Sequence, residues 1–547
     1  MAIYRFENAV EGSSSRFATD EEFRRASIIV KEDEESPEQA GTVMMDMGNG
    51  EIAMGREDLH SFVIGESGCG KTRRIVIPTI DMVSRTREQS MVIADPKGEI
   101  FEATAETLRK RGYKVYRFDL TDPSKSQKWN PLSIIARLSV GSSADVTRSR
   151  IMLKEILEVL KQGVHSTRDA FWEQSGADLI YGIALSILSE GQPQDLTFRN
   201  IDLNMRKIFD NGQLFREYYE KMPDDSPVKN YLSSLSSDSA EQTLCSIKLV
   251  AKTMMSPFCS DDRILSLFDT DTMDMTVLGN SNVALFLILS DSSKAMYPVA
   301  TVFIQQLYSL LLEEAASQRE MKLRVPVFFI LDEFANFSRL PDVDSMLTAA
   351  RSRNIRFMLV CQSMKQLHEK YGENTAEILM SNCRIWIYMN SRDIGFLNRL
   401  SQIMGTAYGR FTGREHPLIT VSELQHLEEG EVIVLNDRCH PMRGYLNDYT
   451  EYCHIEDETH FRAINQEQQE TGAILTLDLM EIWKKKYGSE PEPSNNTEVT
   501  GGDDEYEDLD EKDRYSQEMY QLELERMNAE GLWASQEPAD TDDSISF

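Results

Sequence analysis

Ser61-Phe-Val-Ile-Gly65-Glu-Ser-Gly-Cys-Gly-Lys71-Thr72 reads as a short buried strand, a glycine-rich turn and the start of a helix whose apolar side resumes at Ile75, Val76 and Ile77. Gly65, Gly68 and Gly70 let the backbone curl so that its N–H groups converge on one point, with a helix N-terminus behind them; this is a cradle for phosphate oxygens. In the pattern Gly-x-x-x-x-Gly-Lys-Thr, Lys71 is expected to reach the β- and γ-phosphates and the Thr72 hydroxyl to take a place on Mg²⁺. The whole loop, Gly65, Glu66, Ser67, Gly68, Cys69, Gly70, Lys71 and Thr72, is thus a candidate nucleotide contact.

A second half for such a site lies far downstream. Val325-Pro-Val-Phe-Phe-Ile-Leu-Asp332-Glu333 is an apolar strand that ends in two carboxylates. Asp332 is expected to hold Mg²⁺ and Glu333 to polarise the water that attacks the γ-phosphate. The strand Ile355–Gln362 comes next, with Gln362 at its tip as a candidate γ-phosphate sensor and Arg351 and Arg353 just before it. Either arginine could serve a neighbouring subunit in trans, a role worth about 10³–10⁵ in rate. Met91-Val-Ile-Ala-Asp95-Pro-Lys97 is another buried strand, and it puts Asp95 and Lys97 at a strand end as further crevice candidates; a turn aspartate and a solvated lysine read equally well there.

Strands and helices alternate at this spacing, which predicts a parallel sheet with crossover helices. The strand signal stops after Trp129-Asn130-Pro-Leu132, and residues 140–275 carry only helical periodicity, so an all-α domain is inserted into an α/β domain formed by 41–139 and 276–456. Residues 1–40 read as a polar lead-in. Residues 457–547 read as an acidic, largely disordered tail with one amphipathic piece, Ile474–Tyr487, and a short Tyr515/Met519/Leu522 pattern suited to folding on a partner.

The net charge of −32 argues against a uniformly nucleic-acid-binding exterior. Residues 489–547 hold 19 acidic and 3 basic residues, half of the excess, so any DNA surface has to be a local lining of Lys and Arg. Seven scattered cysteines, with no C-x-x-C pair, argue against a disulfide framework and a zinc site and for a reducing compartment. The first residues lack a leader pattern, and no apolar run approaches bilayer length; the expected location is the cytoplasm.

Several segments together resemble the type IV coupling proteins, the TraG/TraD-type ATPases of bacterial conjugation and type IV secretion. They are Gly65–Thr72, Asp95-Pro-Lys-Gly-Glu99, Asn130-Pro-Leu132, Phe171-Trp-Glu-Gln174, Leu331-Asp-Glu-Phe334, Arg351-Ser-Arg-Asn-Ile355, Cys361-Gln-Ser363 and Leu418-Ile-Thr-Val-Ser-Glu-Leu424 with Gly430–Val434. The resemblance runs over about residues 12–455. It implies a RecA-like P-loop NTPase domain that uses ATP and Mg²⁺, a homo-hexameric ring, and the transfer of relaxase-bound single-stranded DNA or protein to a secretion channel and its ATPases at the inner face of the cell membrane. By position it implies Arg351 as the arginine finger and Gln362 as the sensor. The family's usual N-terminal membrane helices are missing here, so the resemblance implies a lost anchor or a separate anchor subunit. Two other readings compete: an FtsK-like DNA translocase, against which the Asp-Pro-Lys-Gly-Glu segment and the helical insertion weigh, and a substrate-receptor platform gated by ATP binding.

Overall fold

The computed structural model describes residues 15–488, apart from 165–169, 237–240, 291–292, 409–413, 437, 454 and 456–475. The acidic stretch from 489 onwards, with the Tyr515/Met519/Leu522 pattern, lies outside the described residues.

The strands are β1 (Ile28–Lys31), β2 (Val43–Gly48), β3 (Glu51–Met54), β4 (Ser61–Ile64), β5 (Ser90–Asp95), β6 (Lys114–Asp119) and β7 (Val283–Ile288). They continue with β8 (Val327–Leu331), β9 (Ile355–Cys361), β10 (Ile385–Tyr388), β11 (Thr406–Tyr408), β12 (Glu415–Pro417), β13 (Glu431–Asn436) and β14 (Met442–Tyr445). Twelve form one sheet in the order β1-β3-β2-β14-β13-β10-β4-β9-β8-β5-β7-β6, and β11 and β12 pair separately. From β10 to β6 every neighbour is parallel. From β10 back to β1 every neighbour is antiparallel.

Each residue of β4, β5, β7, β8 and β9 is buried. Such uninterrupted apolar strands need helices on both faces of the sheet, which parallel crossovers supply. Side-chain alternation divides them between two cores. Phe62 and Ile64 join one, with Val92, Leu285 and Phe329; Val63 joins the other, with Met91, Ile93 and Phe328. This is the mainly parallel α/β fold that the strand–helix alternation and the family resemblance implied.

One ordered piece lies where none was expected, and the amphipathic piece of the tail is a packed helix. The supposed polar lead-in contains the helix Asp20–Ala26, capped by Thr19, and β1, which extends the antiparallel side of the sheet. The supposed tail contains the helix Leu479–Tyr487, whose Trp483 is 1% exposed. Between β6 and β7 the described residues hold helices and no strand. The longest are Ser143–Lys161, Ala170–Glu190 and Glu241–Cys259, and the sheet resumes at its edge when β7 pairs with β6.

At the amino-terminal edge of the parallel strands His60 is buried between two elements. Its Nδ1 accepts from the Phe357 N–H at 3.0 Å and its Nε2 donates to the Leu347 carbonyl at 2.9 Å. Burial pushes the imidazole pKa down to about 4; the Leu347 bond opposes that, and Arg351 and Arg356 add to it. The folded chain therefore keeps His60 neutral where the unfolded chain, with a pKa near 6.5, binds a proton. Stability from this group is complete above pH ~6.5 and falls as pH drops towards 4, by up to about 1.4 kcal/mol per pH unit. Urea midpoints between pH 7 and 4.5 should show this slope in the native chain and a shallower one in His60→Gln.

Candidate nucleotide site

β4, β9 and β8 lie side by side and run the same way, so Gly65, Gln362 and Asp332 all emerge at one edge of the sheet. The loop after β4 turns through Gly68 and Gly70, at φ 83° and 88°, where a side chain would be strained. A Cβ at Gly65 would stand 2.6 Å from Cys69 Sγ, so the first glycine is required by the loop's own packing. Lys71 is buried beneath the loop and donates to the carbonyls of Gly65 at 2.6 Å and Glu66 at 3.0 Å. The helix that follows opens with a π turn over Thr72–Val76, a widened geometry frequent at functional sites.

The two distant motifs meet here. Thr72 Oγ1 donates to Asp332 Oδ2 at 3.1 Å. Burial raises the Asp332 carboxyl to about 6, against the pull of Lys71, and raises Asp95 on the next strand over to about 7. Asp95 accepts from the N–H groups of Phe101 at 2.8 Å and Lys97 at 3.3 Å, so it holds the turn after β5. A hydroxyl beside a buried carboxylate, with an ammonium on the same loop, is a donor set that fits a hard divalent cation on a polyphosphate.

Glu333 has left-handed backbone, φ 53°, a strained conformation for this residue type and one that gathers at functional sites. Its carboxylate is held from both sides: Gln362 Nε2 donates to Oε1, and Asn336 Nδ2 donates to Oε2 at 2.6 Å. Gln362, expected at a γ-phosphate, is in direct contact with the expected base.

Arg351 is elsewhere. It precedes β9, at the opposite end of a seven-residue strand and so about 20 Å from the edge that carries Gly65 and Gln362. There it lies 3.4 Å from Asp58 in a crevice also lined by Arg25, Arg56, Arg384 and Arg438. Arg353, the other candidate, donates to the Met321 carbonyl at 2.8 Å and ties down a loop. The five crevice arginines come from five separate stretches of chain, and only Arg351 stood out in the sequence.

Sequence reading also missed what grips the phosphate loop from the side. The chain leaving β10 supplies Asn390, whose Oδ1 accepts from the Glu66 N–H at 3.0 Å, and Arg392, whose N–H donates to Glu66 Oε1 at 2.6 Å. On the helix side Arg73 forms a double hydrogen bond with Asp448, at 2.6 and 2.8 Å, and stacks over Tyr449; Arg74 reaches Glu429 and the Leu446 carbonyl. The adjacent pair Arg73-Arg74, directly after Thr72, was the available signal.

Residues 16–445 match the model of a family described as Type IV secretory system Conjugative DNA transfer. The chain belongs to this family. It is 21% identical over 457 residues to Protein VirD4 of Rhizobium rhizogenes, covering 79% of this chain and 64% of that protein. It is 23% identical over 364 residues to Conjugal transfer protein TraG of Escherichia coli, covering 63% of this chain and 55% of that one. The matched region thus spans under two thirds of these relatives' length. In fold it resembles the plasmid coupling protein TrwB solved with a non-hydrolysable ATP analogue, at TM-score 0.54 and 16% identity, over 82% of this chain and 95% of that one. TrwB solved with ADP and Mg²⁺ gives TM-score 0.54 at 17% identity, over 80% and 94%. The fold is that of TrwB, and the family match agrees with the resemblance to the type IV coupling proteins carried by the motifs. Among the described residues no helix is long and apolar enough to cross a membrane.

Cys69 sits in the loop with its Sγ 3.8 Å from Met389 Sδ, and burial raises its thiol. Iodoacetamide modification of Cys69, followed by peptide mass, should slow at least tenfold at saturating Mg·ATP. It should accelerate severalfold in Asn390→Ala without a matching loss of thermal midpoint.

Proposed function

We propose that this chain is the ATP-hydrolysing coupling protein of a conjugative type IV secretion system, which recruits relaxase-bound single-stranded DNA or a protein substrate and drives it to the secretion channel. The observation that carries the reading is the 3.1 Å contact between Thr72 and Asp332 beside Lys71, in a chain of the conjugative DNA transfer family. TrwB, which shares the fold, has been solved with ADP and Mg²⁺.

In this reading the loop 65–72 wraps the phosphates, and Lys71 exchanges its two carbonyl partners for β- and γ-phosphate oxygens. Thr72 and Asp332 would hold Mg²⁺, which would supply charge neutralisation when bound. Glu333 orients and deprotonates the attacking water. Its two amide partners, Gln362 and Asn336, keep the carboxylate from turning away, and Gln362 is placed to pass a change at the γ-phosphate to that base. Arg351 faces away from its own site, so it acts on the nucleotide of a neighbouring copy, which requires a ring; the surrounding arginines favour an approaching polyphosphate. Residues 140–275 form the inserted substrate-facing domain.

Lys71→Ala should lower nucleotide affinity at least 100-fold with the fold intact, because it removes a phosphate contact and no core packing. ATP hydrolysis measured against protein concentration, with and without single-stranded DNA, tests the motor itself. Stimulation that appears with assembly supports it, and turnover indifferent to DNA favours a receptor platform gated by ATP binding. Mixing Arg351→Ala with Glu333→Gln subunits should restore part of the activity, since some interfaces then pair an intact finger with an intact base. No recovery at any ratio would refute the trans arrangement.

A further inference from the structure

The segment after the sheet ends in a short ordered piece, Thr476–Gly488, that lies across three helices of the insertion: Ala170–Glu190, Phe198–Asp210 and Gly212–Lys221. The contact is polar at its start and apolar along its length. Asn204 is 0% exposed, and its side chain brackets one residue of the visiting main chain. Its Nδ2 donates to the Leu477 carbonyl at 2.8 Å and its Oδ1 accepts from the Leu479 N–H at 2.7 Å. Asn200, also 0% exposed, accepts from the Leu477 N–H through Oδ1 at 3.1 Å. Asp478 pairs with Lys207 and at the same time caps the new helix, accepting from the Glu481 N–H at 3.2 Å.

Beyond this clamp the helix buries Leu479, Met480 and Trp483, and the indole packs 5.9 Å from the Phe215 ring. Leu477 fits against Gly191, where an added Cβ would stand 3.1 Å from Leu477 Cδ2. Lys221 donates to the Tyr487 carbonyl at 2.7 Å and closes the far end.

Two buried amides that read the main chain of an incoming segment, a lysine for one acidic cap, and an apolar trough for a helical face are the components by which proteins hold short linear peptides. The two amides are set in position by their own helix and the turn before it, Asn204 Nδ2 donating to the Asn200 carbonyl at 2.8 Å and Asn200 Nδ2 to the Asp195 carbonyl at 2.8 Å, and their remaining capacity goes to the main chain of the segment.

We propose that the helical insertion carries a peptide-recognition groove and that Leu477–Tyr487 is its resident occupant in cis. The partner it fits is a protein segment of the same chemistry: aliphatic-Asp-Leu-Met at a helix start, with an aromatic three residues further on. Such a segment takes the groove by displacing the resident one. This inference does not depend on nucleotide turnover.

The test is fluorescence anisotropy of a labelled peptide, Thr476–Gly488, with the full chain and with a full chain whose own segment is released by Leu479→Ala and Trp483→Ala. The released chain should bind saturably, at least tenfold more tightly than the wild type, whose groove is occupied. Adding Asn204→Ala to the released chain, or Asp478→Ala to the peptide, should cost at least tenfold. Absence of saturable binding to a released chain that keeps its circular dichroism overturns the proposal, and so does binding indifferent to Asn204→Ala. Should the released chain not fold, hydrogen exchange on the wild-type chain decides. Amides of 477–487 that exchange faster than those of Phe198–Asp210 support a displaceable occupant, and equal protection overturns it.

Discussion

Everything at the candidate site depends on three parallel strands ending level with one another. β4, β9 and β8 are hydrogen-bonded neighbours, and their register sets Ile64 against Cys361 and Leu331 against Leu359. The phosphate loop, Gln362 and the Asp332-Glu333 pair are therefore delivered to one edge by backbone pairing alone, before any side chain chooses a rotamer. A shift of one residue in either pairing would turn the carboxylates to the other face of the sheet and separate Thr72 from Asp332. The continuous burial of these strands secures that register, because both faces are committed to a core.

The same geometry has a second consequence for Arg351. A parallel strand joins two edges, and β9 carries Gln362 at one and follows Arg351 at the other. His60 ties three pieces together at the Arg351 edge: it immediately precedes β4, accepts from the β9 backbone at Phe357, and donates to the carbonyl of Leu347 in the helix that leads to Arg351. β9 thus starts just after the turn that carries Arg351 and ends at Gln362, beside the loop that follows β4. A rigid strand pair is a short mechanical path between the two edges.

How much of this was legible in the sequence follows from how local each signal is. The phosphate loop and Asp332-Glu333 are contiguous patterns at the ends of apolar runs, and the strand–helix alternation gave a parallel sheet. The antiparallel extension was harder, because β1, β3 and β14 are four residues each and only partly apolar. One signal was there to be read: Asn49-Gly50, with φ of 58° and 73°, is a two-residue hairpin turn between β2 and β3. The grip of Asn390 and Arg392 on Glu66 spans more than 300 residues and has no local pattern, and the arginine crevice assembles from scattered elements. The helix Leu479–Tyr487 had the right periodicity, but its hydrophilic surroundings concealed that it had somewhere to dock.

The helical insertion enters after β6, the outermost strand of the parallel side, and returns into β7. Bringing the ends of a long excursion together costs entropy that grows only with the logarithm of length, about 0.6 kcal/mol for each doubling. An excursion at the rim also disturbs no register further in. The rim is thus where this architecture can lengthen or shorten, while the edge that carries Gly65, Asp332 and Gln362 keeps its geometry. Change at the rim leaves untouched the strand pairing that brings Thr72 to Asp332.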